Sequence, residues 1–102
     1  MYKAVVFAQN KASNYVDNPF VEITKKAFGD ECLIWDGSRQ KDLDYFISNK
    51  DPRIYEGVLN CCEENNVEFL YITVLYYPEH LLIELNARKK KGNLPKTKIV
   101  FA

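Results

Sequence analysis

The chain has 102 residues, with fourteen Lys and Arg set against fourteen Asp and Glu, so it is one globular domain's worth of sequence with no net field to draw it onto nucleic acid. Its longest apolar stretch, Phe69 to Tyr77, is about half of the roughly 20 residues that cross a bilayer, which excludes a spanning helix there. Three cysteines, Cys32, Cys61 and the adjacent Cys62, form neither a disulfide framework nor a zinc spacing, and all three are expected reduced and packed in the core.

In chain order, Lys3 to Ala8 is a short apolar run that predicts a buried strand. Gln9-Asn10-Lys11 interrupts it before a signal-peptide core accumulates, so the start reads as a cytosolic strand. A polar stretch from Gln9 to Asn18 follows as a loop. Asn18-Pro19 supplies a cap and a proline at the first helical position, and Phe20, Ile23 and Ala27 predict a helix over 19–28, closed by Gly29. Cys32 to Trp35 is a second buried strand, ended by the Asp36-Gly37 turn.

Ser38 is expected to cap a short helix carrying Leu43, Phe46 and Ile47. Asp51-Pro52 repeats the cap-plus-proline signal, and Ile54, Tyr55, Val58, Leu59, Cys61 and Cys62 make a wide apolar stripe over a helix at 52–65. Val67 to Leu75 is β-branched and aromatic with apolar groups on both faces, as in a central strand. Pro78 opens a last helix with Leu81, Leu82 and Leu85 on one face and Arg88, Lys89, Lys90 and Lys91 before Gly92, where cations suit the helix dipole. Thr97 to Ala102 predicts a fourth strand.

Strands separated by helices predict an α/β domain over 1–102: a Rossmann-like, doubly wound, mainly parallel four-stranded sheet with helices on both faces. The strand orders consistent with this are 2-1-3-4 and 3-2-1-4, and the apolar third strand favours the first. Core candidates are Val6, Phe28, Ile34, Val58, Leu70, Ile72, Leu82 and Ile99.

Open α/β sheets bind ligands beyond the carboxyl ends of the strands, where the winding reverses. In order 2-1-3-4 this brings the segments 9–18 and 76–80 together. The first offers Gln9, Asn10 and Asn14 but contains no glycine, so a phosphate cradle is not expected, and with it no nucleotide cofactor. The second offers Tyr76, Tyr77, Glu79 and His80, the sole histidine. Aromatic faces beside amide and imidazole groups suit a polyhydroxylated small molecule, with His80 as the candidate base and Glu79 as its orienting carboxylate only if the complete enzyme inverts, and both as binding groups otherwise. On a plainer account Glu79 only complements the helix dipole and His80 is solvated. Cys61 and Cys62 are read as core, Glu63, Glu64, Asp42 and Asp44 as solvated, and no metal is expected. The run Arg88 to Lys91 is either a solvated helix end or a contact for phosphate or an anionic membrane surface.

The polar loop followed by Asn18-Pro19-Phe20, the helix with Ile23 and Ala27, and the strand Cys32 to Trp35 resemble the start of bacterial two-domain glycosyltransferases of the GT-B architecture. The stretch from Val58 to Asn65, the strand 67–75, the Tyr-Pro turn and the helix ending in Arg88-Lys89-Lys90 are similar to the continuation of that amino-terminal domain. The resemblance implies an acceptor-side domain that is inactive alone and transfers sugar from a nucleotide sugar only with a carboxyl-terminal domain. It puts Gln9, Asn10, Asn18 and His80 on the acceptor side of the cleft. It also implies a small-molecule or lipid-linked acceptor and a cytoplasmic protein, peripheral at the inner membrane face if Arg88 to Lys91 meet lipid. The strand at the end of the chain leaves a sheet edge for a further helix or a second copy, hence a homodimer as one expectation. The alternative is a small non-catalytic binding or regulatory module of flavodoxin-like winding, of the kind found among phage or toxin-neutralising interaction proteins.

Overall fold

The computed structural model describes residues 2–8, 19–37, 39–73, 75–92 and 97–101. Strand β1 (Ala4–Phe7) leads to helix α1 (Pro19–Phe28), a 3-10 turn (Gly29–Glu31) and strand β2 (Cys32–Trp35). Helix α2 (Leu43–Ser48), a second 3-10 turn (Pro52–Tyr55) and helix α3 (Glu56–Asn65) precede β3 (Phe69–Ile72). Helix α4 (Pro78–Lys90) and β4 (Lys98–Phe101) complete the order. All pairings are parallel and the sheet runs β2-β1-β3-β4, with Phe7 level with Trp35 on one side and Ile72 on the other. The preferred strand order is therefore the one observed.

Alternation along the strands divides the core. Val5, Phe7, Leu33, Leu70 and Ile72 point to one face, where they meet Leu43, Phe46, Ile54, Tyr55, Val58, Leu59 and Leu81 from α2, the turn before α3, α3 and α4. Val6 and Ala8 point to the other with Cys32, Ile34 and Tyr71. On that side the Phe28 ring at the end of α1 lies 6.0 Å from Phe69 and 6.5 Å from Tyr71. The larger core explains why β1 is completely buried: it has a strand on either side and packed residues on both faces.

Several elements differ from their sequence expectation. The helix predicted over 52–65 begins as a 3-10 turn. Asp51 accepts the Arg53 amide at 2.9 Å on its side chain, and its carbonyl accepts the Ile54 amide at 3.1 Å, an i to i+3 bond that tightens the first turn. Helix α2 has Asp42 at its N-cap position, with no side-chain cap, because that carboxylate instead accepts from Gln40 Nε2 at 3.0 Å; the expected cap Ser38 lies outside the described residues. Strand β3 is four residues long rather than nine; beyond it the Tyr76 backbone bonds the Tyr55 hydroxyl and not a neighbouring strand.

Among the core candidates, Val6, Val58, Leu70 and Ile72 are buried and Phe28, Ile34 and Ile99 are half-buried. Leu82 is 60% exposed, which corrects its assignment to the core. Residues 81, 85 and 88 stack at helical spacing, and Leu81, Leu85 and Arg88 form the inner stripe of α4 while Leu82 turns about 100° away from it. Arg88 and Glu63, both read as surface charges, also change place. Arg88 is only 8% exposed and is held by Glu63 and Glu84, each at 2.8 Å, and by Asn60 Oδ1 at 2.7 Å. This network joins α3 to α4. Cys61 and Cys62 are free and buried on α3, while Cys32 is free and half-buried.

Candidate functional site

The carboxyl ends of β1 and β3 lie side by side because Thr73 donates to the Phe7 carbonyl twice, from its amide at 3.2 Å and its hydroxyl at 2.8 Å. Residues 75–80 therefore leave the sheet at its carboxyl edge, at the point where the winding reverses between β1 and β3. Gln9, Asn10, Asn14 and Asn18, the other expected contributors, lie outside the described residues. At the base of the segment the fully buried Tyr55 donates its hydroxyl proton to the Tyr76 carbonyl and accepts the Tyr76 amide at 3.0 Å. Burial pushes the Tyr55 phenol up to about 12.

Tyr77 stands at the N-cap position of α4 in the left-handed region, at φ 46°, and its hydroxyl donates to the Ile47 carbonyl at the end of α2 at 2.5 Å. Lys50, at φ 51°, is left-handed too. Its carbonyl lies 3.1 Å from His80 Nε2, which must carry a proton to bond there; the other ring nitrogen is Nδ1. That Nδ1 is buried with no hydrogen-bond partner among the described residues. The Tyr77 and His80 rings meet edge to face at 5.7 Å.

The two rings thus tie the start of α4 to the end of α2 across 30 residues of chain. No hydrogen bond or ion pair joins Glu79 to His80 among the described residues. The orienting partner of the imidazole is the Lys50 carbonyl, and Glu79 is exposed. Tyr76 is half-buried, its ring 6.3 Å from that of Tyr77. At the far end of α4, Lys89, Lys90 and Lys91 are exposed, whereas Arg88 is committed to its acidic partners.

Compared with known proteins, the chain matches no family model, no curated protein and no solved structure. Its chemistry is therefore read from its own geometry. Among the described residues no group of three or more His, Cys, Asp and Glu could hold a metal ion, and no helix is long and apolar enough to cross a membrane. The thiols are poor nucleophiles: burial pushes Cys62 up to about 12 and raises Cys61 and Cys32 as well.

A second concavity escaped the sequence reading. A recess of about 410 Å³ opens beside the carboxyl end of β2, with Trp35, Gln40, Asp42, Phe46, Glu56 and Gly57 among its lining residues. Along the sequence Trp35 only ends a strand, and Gly57 carries no signal within the helix expected over 52–65. Only the close approach of β2 to α3 shows that the missing side chain makes room for the indole.

Proposed function

We propose that this chain is the acceptor-side domain of a two-domain glycosyltransferase, binding the hydroxyl compound that receives the sugar while a carboxyl-terminal domain binds the nucleotide sugar. The observation that carries the reading is the winding reversal between β1 and β3, with an aromatic and polar segment leaving the sheet beside it. Tyr76 and Glu79 are the described groups left to contact an acceptor. His80 and Tyr77 position the segment, through Nε2 of the imidazole on the Lys50 carbonyl and the phenol hydroxyl on the Ile47 carbonyl. A lipid-linked acceptor brings the exposed Lys89, Lys90 and Lys91 to an anionic surface, each adding about 1 kcal/mol near the lipid.

The test is a titration of the isotopically labelled chain, followed by amide signals. Neutral methyl glycosides should move the signals of residues 75–80, and uridine and guanosine diphosphate sugars should leave them in place. Low-micromolar affinity for either nucleotide sugar would overturn the reading.

A second reading, a non-catalytic binding module, is favoured by one observation: no acid-base pair is assembled at this edge among the described residues, because His80 and Glu79 are not joined. It predicts that the reading frame carrying this chain shows no sugar transfer from any nucleotide sugar, even where the crevice binds a ligand.

A further inference from the structure

We propose that the recess at the carboxyl end of β2 is a binding site for a neutral saccharide ring. It is separate from the crevice between β1 and β3 and does not depend on the transferase reading. Its volume of about 410 Å³ falls within the range of small-molecule sites, about 300 to 1,000 Å³.

The site is built before any ligand arrives. Gln40 Oε1 accepts the Trp35 indole proton at 2.9 Å, and Gln40 Nε2 donates to Asp42 Oδ1 at 3.0 Å. This chain of bonds holds an aromatic ring, an amide and a carboxylate in one arrangement. Gly57 makes it possible, since a Cβ at that position would lie 2.9 Å from Gln40 Oε1 and 3.1 Å from Trp35 Cζ2. Groups already fixed in place lose little freedom on binding, which is the main route to affinity for a small ligand.

The charges select the ligand class. Arg39 and Arg53 face Asp42 and Glu56 around the recess, so its formal charge is zero. Arg53 is held in place by Asp51 at 2.7 Å and lies 4.8 Å over the Phe46 ring. An anion would meet the carboxylates and a cation the guanidiniums, while an apolar molecule would strand the polar groups without partners. A pyranose meets none of these penalties. Its C–H face packs on an aromatic ring, and its hydroxyls both donate to carboxylates and accept from guanidinium and amide groups.

Trp35 is the sole tryptophan of the chain, so its emission reports the recess directly. The experiment titrates the 102-residue chain with the methyl glycosides of glucose, galactose and mannose, and separately with inorganic phosphate and with putrescine. It follows Trp35 emission together with the amide signals of residues 39–57. The expected result is a saturable, millimolar response to at least one glycoside and none to phosphate or putrescine. Glu56→Ala, at an exposed position, should weaken it about tenfold, Gly57→Ala should also weaken it, and Leu82→Ser should leave it unchanged.

The proposal is overturned if no glycoside gives saturation, if phosphate or putrescine saturates equally well, or if the response survives both Glu56→Ala and Gly57→Ala. Glycoside shifts confined to residues 75–80 would likewise overturn it, while supporting the crevice as an acceptor site.

Discussion

The hydroxyl of Tyr55 closes on the backbone of Tyr76 at two points, donating to its carbonyl and accepting from its amide, across 21 residues of chain. The phenol stands in for a neighbouring strand: it satisfies both backbone groups at the place where the chain leaves the sheet for α4. Tyr55→Phe keeps the ring and its 5.3 Å contact with Phe7 but leaves that backbone unpaired. It should cost about 1 to 3 kcal/mol in urea unfolding, and the amide of Tyr76 should lose its protection from hydrogen exchange.

The same burial sets an alkaline limit. The Tyr55 phenol is raised from 10.0 to about 12 and the Cys62 thiol from 9.0 to about 12, in both cases chiefly by burial. Both groups are neutral when protonated, and their folded values lie above their unfolded ones. Their contribution is thus fully present below the unfolded values and is lost as pH rises from about 9 to 12. Unfolding midpoints should fall across that window. Cys62→Ala should flatten the part that begins near pH 9, and Tyr55→Phe the part that begins near pH 10; a wild-type midpoint that stays level to pH 12 would contradict the assignment.

Arg88 bridges α3 and α4 through two carboxylates and an amide. Arg88→Met should cost about 1.5 to 3 kcal/mol, because it leaves charged hydrogen-bonding partners without a cation in a half-buried setting. Arg88→Lys should recover little of this, since an ammonium group cannot span the same fork of partners. Replacing Lys89, Lys90 and Lys91 by Ser should stay within about 0.5 kcal/mol. Equal losses for the two sets would show that Arg88 is as solvated as its neighbours.

Two apolar residues of similar sequence prominence should behave oppositely. Ile72, buried at the end of β3, should cost about 2 to 5 kcal/mol on truncation to Ala. Leu82→Ala, on the exposed side of α4, should stay within about 0.5 kcal/mol. Chemical unfolding of both variants checks the pair.

Gly57→Ala tests the contact between β2 and α3. In an open helix this change is favourable by about 1 kcal/mol. Here the new Cβ meets Gln40 and Trp35, so the gain should be absent and Trp35 emission should shift as its bond to Gln40 is disturbed. In the double variant with Gln40→Ala, part of the helix gain should return, a departure from additivity that marks direct contact.

The sequence by itself determined the architecture. Short apolar runs punctuated by Asn18-Pro19, Asp51-Pro52 and Pro78 place the helices and strands nearly where they lie, because period, caps and breakers act within a few residues and need no distant partner. The all-parallel order follows, since each pair of successive strands is separated by a helix long enough to cross over. Tertiary structure alone decided what the side chains do once the elements meet. Whether Arg88 is solvated or buried depends on α3 lying against α4, and whether His80 is free or tied depends on a carbonyl 30 residues away. Leu81 and Leu82 are alike in chemistry, and only the rotation of α4 against its neighbours separates the core residue from the exposed one. The recess beside β2 exists because a glycine on one element faces a tryptophan on another, and a contact over that separation leaves no local pattern in the sequence.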